Sequence, residues 1–167
     1  MVPPGIRIVR LADRPHCSEG LIGWLCSAWP QPLRTSRAQA RRSVGRRRLR
    51  HRLPLCLVAL SSGGRLAGTV SLLAQGPGGQ RAQLTGLFVT RAYRGLGIGS
   101  ALCARVLAEA TRLRIRDVGL YTDAAVGFYR RFGFREVETV SFGLDGQMAH
   151  YTYMLRSPLR SRRCPGV

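Results

Sequence analysis

Lysine is missing altogether: all 27 basic residues of this 167-residue chain are arginine. Acidic residues are scarce, eight in all, so the formal charge reaches +19. The lysine gap excludes a Walker-type phosphate loop, which needs Gly-Lys-Ser/Thr. The charge has two readings: a composition biased towards arginine, or an anionic partner such as nucleic acid, a membrane surface or a polyphosphate ligand. No apolar run approaches the length of a membrane span. The start, MVPPGIRIVR, lacks the apolar stretch of a secretory signal. A soluble, cytoplasmic protein is expected. The five cysteines (Cys17, Cys26, Cys56, Cys103, Cys164) are odd in number and lack C-x-x-C spacing, which argues against a disulfide framework or a zinc site. Free thiols at apolar positions are expected instead. His16, His51 and His150 lie far apart and form no ligand motif, so no metal is expected.

What is present is a core. Apolar residues make up 45% of the chain, enough for one domain, expected over residues 1–156, with a basic, disordered tail over 157–167. Ile6 to Leu11 reads as a strand. Asp13 is placed to cap a helix running to Trp29, with Leu21, Ile22, Leu25 and Ala28 as its apolar face, stopped by Pro30 and Pro32. Arg37 to Arg52 reads as a second helix, weakly amphipathic. A strand follows Pro54 and ends at the SSGG turn, Ser61–Gly64; Leu66 to Ala74 completes a hairpin. Ala82 to Val89 is the next strand, and Gly86 inside it suggests a bulge or a close backbone approach. Ile98, Leu102, Val106 and Leu113 recur at helical spacing. Asp117 to Tyr121 is a short strand. Thr122 or Asp123 can cap a helix through Arg131, ended by Gly133. Phe134–Phe142 and Gln147–Leu155 form a closing hairpin. The order predicts an α/β fold with a mixed sheet flanked by helices, in which the unit from about residue 84 to 121 is a parallel crossover.

The stretch YRGLGIGSAL, Tyr93–Leu102, crowds glycines 95, 97 and 99 ahead of the best helix. A helix start offers unpaired amides and partial positive charge, so an anion can rest on a backbone stripped of Cβ atoms. Arg94 adds a charge able to pair with phosphate. A tight turn that binds nothing is the alternative. A dinucleotide fingerprint fails on context, because Ser100 stands at its third glycine and five residues separate the strand from Gly95.

The surviving pattern, Arg94-Gly-Leu-Gly-Ile-Gly99, together with Val89 and the block TDAAVGFYRRFGF from Thr122 to Phe134, resembles the GNAT superfamily of N-acetyltransferases over nearly the whole chain. The resemblance implies a single-domain GNAT-like fold, with six to seven strands and about four helices. It implies acetyl-CoA as co-substrate, its pyrophosphate held at Arg94, Gly95, Leu96, Gly97, Ile98, Gly99 and Ser100. The pantetheine arm would run along Leu87, Phe88 and Val89, with Thr122 and Phe128 contributing. Gly86 would part this strand from its neighbour and open a slot for the thioester. Tyr129 matches the tyrosine that protonates the departing thiolate; otherwise it is a helix residue with its hydroxyl at the surface. Thr122 stands where the family usually has asparagine, so it offers a hydroxyl and no amide N–H.

The family's strand glutamate has no counterpart, since no carboxylate lies between Arg81 and Arg91. Glu19, Asp145 and His150 are conceivable bases and equally ordinary surface groups. The acceptor would be a primary amine of a small molecule or peptide, in a cleft shaped by the first two helices and the closing hairpin. Trp24 and Trp29 could line it. The run RRSVGRRRLRHR, with seven arginines in residues 41–52, would favour acidic acceptors if it flanks the cleft. The competing readings are a basic nucleic-acid- or ribosome-binding module, or a CoA-binding regulatory domain, on an inactive acetyltransferase fold.

Overall fold

The computed structural model describes residues 2–27, 36–47, 53–144 and 147–157. The chain runs β1 (Ile6–Arg10), α1 (Ser18–Ser27), α2 (Arg37–Arg47), β2 (Leu55–Ser61), β3 (Leu66–Gln75) and β4 (Arg81–Val89). It continues α3 (Ile98–Arg112), β5 (Asp117–Thr122), α4 (Val126–Arg130), β6 (Arg135–Leu144) and β7 (Gln147–Arg156). The seven strands form one sheet in the order β1-β2-β3-β4-β5-β7-β6. All neighbours are antiparallel except β4 and β5. This is the predicted mixed sheet with its single parallel crossover through α3.

Every residue of β2 is buried, as a strand covered on both faces requires. On one face, Leu57, Val70, Leu84, Leu120 and Met154 pack with Ile98, Leu102 and Val106 of α3. Leu102 and Val106 are fully buried, each contributing about 1.5–3 kcal/mol of transfer free energy. On the other face, α1 and α2 bring Leu21, Ile22, Ala40 and Val44 onto Cys56, Val58 and Leu60. Strand β7 enters the sheet between β5 and β6, burying Tyr151 and Met154. The outermost strand, β6, carries Arg135, Glu136 and Glu138, charges suited to an open edge.

The first helix departs from expectation. It begins at Ser18, because two 3₁₀ turns, Leu11–Asp13 and Pro15–Cys17, occupy the preceding residues. Pro15 disfavours helical geometry at Arg14, which sits at φ −138°, ψ 61°. A helix therefore cannot run on from Asp13. The Ser18 hydroxyl instead donates to the Pro15 carbonyl at 2.6 Å. Ala28, Trp29, Pro30, Pro32, residues 48–52, Asp145, Cys164 and the tail beyond Ser157 lie outside the described residues.

Two features of β4 position the site. Thr69 of β3 pairs with Phe88 and Ser71 with Thr85, so β4 holds one extra residue there. Gly86, at φ +63°, lies in that bulge. No neighbouring atom comes within 4 Å of where its Cβ would be, so the backbone conformation, not close approach, calls for glycine. Strands β4 and β5 pair only at Arg81–Asp117, Ala82–Val118 and Gln83–Gly119. Beyond Gln83–Gly119 the register ends, and the two strands part along the rest of β4, Leu84 to Val89.

Candidate active site

After β4 the chain makes a 3₁₀ turn, Arg91–Tyr93, and reaches α3 through Arg94–Gly97. Gly95 and Gly97 both adopt φ +77°, which L side chains rarely tolerate. A Cβ at either would meet nothing within 4 Å, so open space borders the turn. Gly97 is the N-cap of α3 with no side-chain cap, so the amides of the first turn face that space without a side-chain acceptor. Ile98 is buried and ties the helix start to the core, Ser100 is half-buried, and Leu96 is 56% exposed. Gly99 differs from the other two. It has ordinary helical geometry, and its Cβ would stand 3.7 Å from Val89 Cγ2 and 4.0 Å from Phe128 Cζ. The end of β4, the start of α3 and α4 thus converge at one point.

Leu87 and Val89 turn towards the α3 core. Phe88 turns to the opposite face, where its ring lies 4.9 Å from that of Trp24 in α1. Arg94 bends back on this strand end. Its Nε donates to the Val89 carbonyl at 3.0 Å, and its guanidinium carbon lies 5.9 Å from the Phe88 ring centre. The side chain stays exposed, so it braces the strand and keeps its charge at the mouth of the turn.

Tyr129 is 8% exposed, so its ring belongs to the core and not to the outer face of an amphipathic helix. Its ring packs edge-on to Phe128 at 5.1 Å and Phe134 at 5.8 Å. Burial, with the Cys103 thiol nearby, pushes its hydroxyl well above the usual phenol range. The group is therefore fully protonated at neutral pH. Thr122 and Asp123 brace the turn ahead of α4 instead of capping it: Ala125 N–H donates to Thr122 Oγ1 at 3.0 Å, and Ala124 N–H to Asp123 Oδ1 at 2.8 Å. The N-cap itself is Ala125.

Of the conceivable bases, Glu19 and His150 lie among the described residues, and each has a partner of its own. Glu19 is exposed and paired with Arg37 at 3.1 Å and Arg41 at 4.0 Å. His150 is exposed and shares a hydrogen bond with Ser141 at 2.8 Å. Among the described residues the buried carboxylate is Glu109 of α3. Burial alone would raise its pKa, but hydrogen bonds from Arg112 and Arg10 outweigh this and hold it below the ordinary range. Also among the described residues, no three His, Cys, Asp or Glu side chains group as a metal site, and no helix is long and apolar enough to cross a membrane.

Sequence reasoning missed a polar row on the Phe88 face. Cys56, Ser71 and Thr85 are registered neighbours across β2, β3 and β4, ending beside Gly86. Its signal was available: Thr69 and Ser71 alternate with apolar residues in a strand that is otherwise apolar over this span.

The open turn at Gly95–Gly97 and the parted β4–β5 pair fit an elongated ligand with an anionic end, as acetyl-CoA is. A family model described as the acetyltransferase (GNAT) family matches residues 19–134. No curated protein matches at the sequence level. Among solved structures, a GNAT-family acetyltransferase from Streptococcus pneumoniae is similar at a TM-score of 0.74 and 17% identity, over 91% of this chain and 99% of that one. Spermidine/spermine N-acetyltransferase SpeG from Vibrio cholerae aligns at 0.70 and 16% identity, over 92% of each chain. A GCN5-related N-acetyltransferase from Kribbella flavida aligns at 0.68 and 21% identity, over 92% and 98%. At such identities these likenesses speak for the fold; the family model spans more than two thirds of the sequence, and with it the chain belongs to the GNAT acetyltransferase family.

Proposed function

We propose that this chain transfers the acetyl group of acetyl-CoA to a primary amine of a small molecule or peptide. The observation that carries the reading is the parting of β4 from β5 beyond Gln83–Gly119, bordered by the open, positive-φ turn at Gly95 and Gly97. In this reading the amides from Gly95 to Ser100 hold the pyrophosphate, with the Arg94 charge at its mouth. The pantetheine arm runs along the parted end of β4 at Leu87, Phe88 and Val89, and Thr122 and Phe128 border its far side. The co-substrate supplies an acyl group activated as a thioester. The protein supplies alignment and a proton.

Tyr129 is the proton donor to the departing thiolate. Its buried phenol is protonated throughout the neutral range, and a phenol can hydrogen-bond a developing anion. No side chain is assigned as base. The β4 segment from Arg81 to Val89 holds no carboxylate, so the amine reacts in its neutral form, reached through water.

The test couples binding to turnover. Acetyl-CoA is titrated calorimetrically, and thiol release is followed against an amine panel. In Tyr129→Phe, turnover should fall about 100-fold while acetyl-CoA affinity holds. No heat of binding by the wild type would refute the enzyme reading, and full turnover in Tyr129→Phe would remove the acid assignment.

A further inference from the structure

The β4–β5 gap opens on one side of the Gln83–Gly119 rung. On the other side lies a cavity of about 240 Å³. Gln75 and Arg81 line it from β3 and β4, Asp117 and Gly119 from β5, and Tyr153 and Leu155 from β7. Gln75 is in register with Arg81, Arg81 with Asp117, and Gly119 with Leu155, so these residues share one face of the sheet. The cavity therefore straddles the rungs that join β4 to β5. A Cβ at Gly119 would stand 2.6 Å from the Tyr153 hydroxyl, so glycine is what lets this ring lie down over β5. Tyr121 backs the ring at 5.0 Å.

The polar groups of the cavity are unevenly satisfied. Arg81 Nε and Asp117 Oδ2 neutralise each other at 3.5 Å, and the Ser157 hydroxyl donates to Asp117 Oδ1 at 2.6 Å. The terminal nitrogens of Arg81 have no partner among the described residues. Gln75 Nε2 donates to Gln83 Oε1 at 3.0 Å, which leaves the Gln75 oxygen as a spare acceptor. The Tyr153 hydroxyl makes no hydrogen bond among the described residues. Burial holds it protonated at neutral pH, so it can donate as well as accept.

Size and chemistry together decide what fits. A cavity of about 150 Å³ takes a benzene ring, so this one takes a single ring with a short substituent. The Tyr153 ring and Leu155 give it an apolar wall suited to an aryl group. The spare polar capacity is mixed: donors on Arg81, an acceptor on Gln75, either role on Tyr153. A carboxylate cannot donate and an ammonium cannot accept, whereas a neutral hydroxyl does both.

We propose that this cavity is an effector site for a small neutral hydroxyaryl compound, whose binding strengthens that of acetyl-CoA. The coupling, though not the site, rests on the acetyl-CoA reading above. A ring seated here touches β3, β4, β5 and β7 at once, just before the strands part. It holds the margin of the slot together, and a slot already ordered costs the co-substrate less to bind. The coupling is reciprocal, each ligand raising the affinity of the other by the same factor.

The probe is 4-ethylphenol, with 4-ethylbenzoate and 4-ethylbenzylamine as its anionic and cationic counterparts. Calorimetric titration of the full chain without acetyl-CoA should show 4-ethylphenol bound at least about 10-fold more tightly than either. Tyr153→Phe should weaken it by about 2- to 12-fold, and Leu155→Trp, which fills the cavity, should abolish it. Should Leu155→Trp fail to fold, Tyr153→Phe, which deletes one oxygen, still decides. No binding by the wild type, equal binding of the charged probes, or full affinity in Tyr153→Phe overturns the site. Saturating 4-ethylphenol should tighten wild-type acetyl-CoA binding by about 5-fold or more. Unchanged affinity refutes the effector role, and weakened affinity refutes it too by putting the phenol in the slot. If the wild type binds no acetyl-CoA at all, the acetyltransferase reading falls and takes the effector role with it. The probe titration then still decides whether the cavity holds a hydroxyaryl ligand.

Discussion

Gly97 and Gly99 sit two residues apart, and replacing each with alanine should have opposite consequences. Gly97 caps α3 at φ +77°. An L side chain there costs about 1–2 kcal/mol, which for a chain of this size lowers the melting temperature by roughly 2–8 °C. Its new methyl would also project into the space beside the first-turn amides, where no atom lies within 4 Å. Losing one amide–phosphate contact, at about 1.5–3 kcal/mol, weakens acetyl-CoA by about 10- to 100-fold. Gly99 is already helical, and a Cβ would meet Val89 and Phe128 at ordinary contact distances of 3.7 and 4.0 Å. Alanine in a helix is better than glycine by up to about 1 kcal/mol. Gly99→Ala should therefore melt at or above the wild-type temperature and keep its affinity. Differential scanning calorimetry and acetyl-CoA titration of the two variants settle the matter. Equal loss of affinity in both would show that positive φ at Gly97 does not organise the site. Unchanged affinity in Gly97→Ala would show that the anion does not rest on this turn.

Other outcomes follow from the same geometry. Because no base is assigned at the slot and Tyr129 titrates far above neutrality, log kcat/KM should climb with pH along the amine's own ionisation, about 10.4 for a lysine-like amine. A plateau near pH 5 or 7 would reveal a carboxylate or histidine base. Glu109 accepts from Arg10 and Arg112 at 2.9 and 3.0 Å. With both arginines substantially exposed, Glu109→Gln should cost about 2 kcal/mol, or roughly 4–8 °C in melting temperature. The folded Glu109 has a depressed pKa, so its contribution is present above the unfolded value of about 4.3 and is lost as the pH falls through the folded value. The deficit measured at pH 7 should shrink markedly at pH 3; an equal deficit at both would refute the ionic account.

The order of elements could be read from the chain because its punctuation is strong. Gly133 at φ +82° ends α4, and the period of Ile98, Leu102 and Val106 marks α3. Gly86 suggested a bulge or a close backbone approach; the bulge is there, and a positive φ, which few other residues accept, is what calls for glycine. The first helix was misplaced because Asp13 looks like a cap until the effect of Pro15 on Arg14 is considered. The insertion of β7 between β5 and β6 was not legible, since both strands of a hairpin carry similar patterns and only tertiary pairing decides which lies outside. Arg47 shows the same limit. Among the described arginines of the run 41–52, nothing local distinguishes Arg47, which is buried, from Arg41, Arg42 and Arg46, which are exposed; its burial depends on α2 settling over Cys56.

The three-residue seam between β4 and β5 has a mechanical consequence. The sheet is two leaves, one bearing α1 and α2 and the other bearing the closing hairpin, stitched directly for only part of their length. An extended chain bonded to both margins would act as the missing rungs. A donor with such an arm would then be a temporary strand of the fold as well as a reagent. Its arrival would couple the leaf holding the acceptor face to the leaf holding Tyr129, and the protein would be stiffest while loaded.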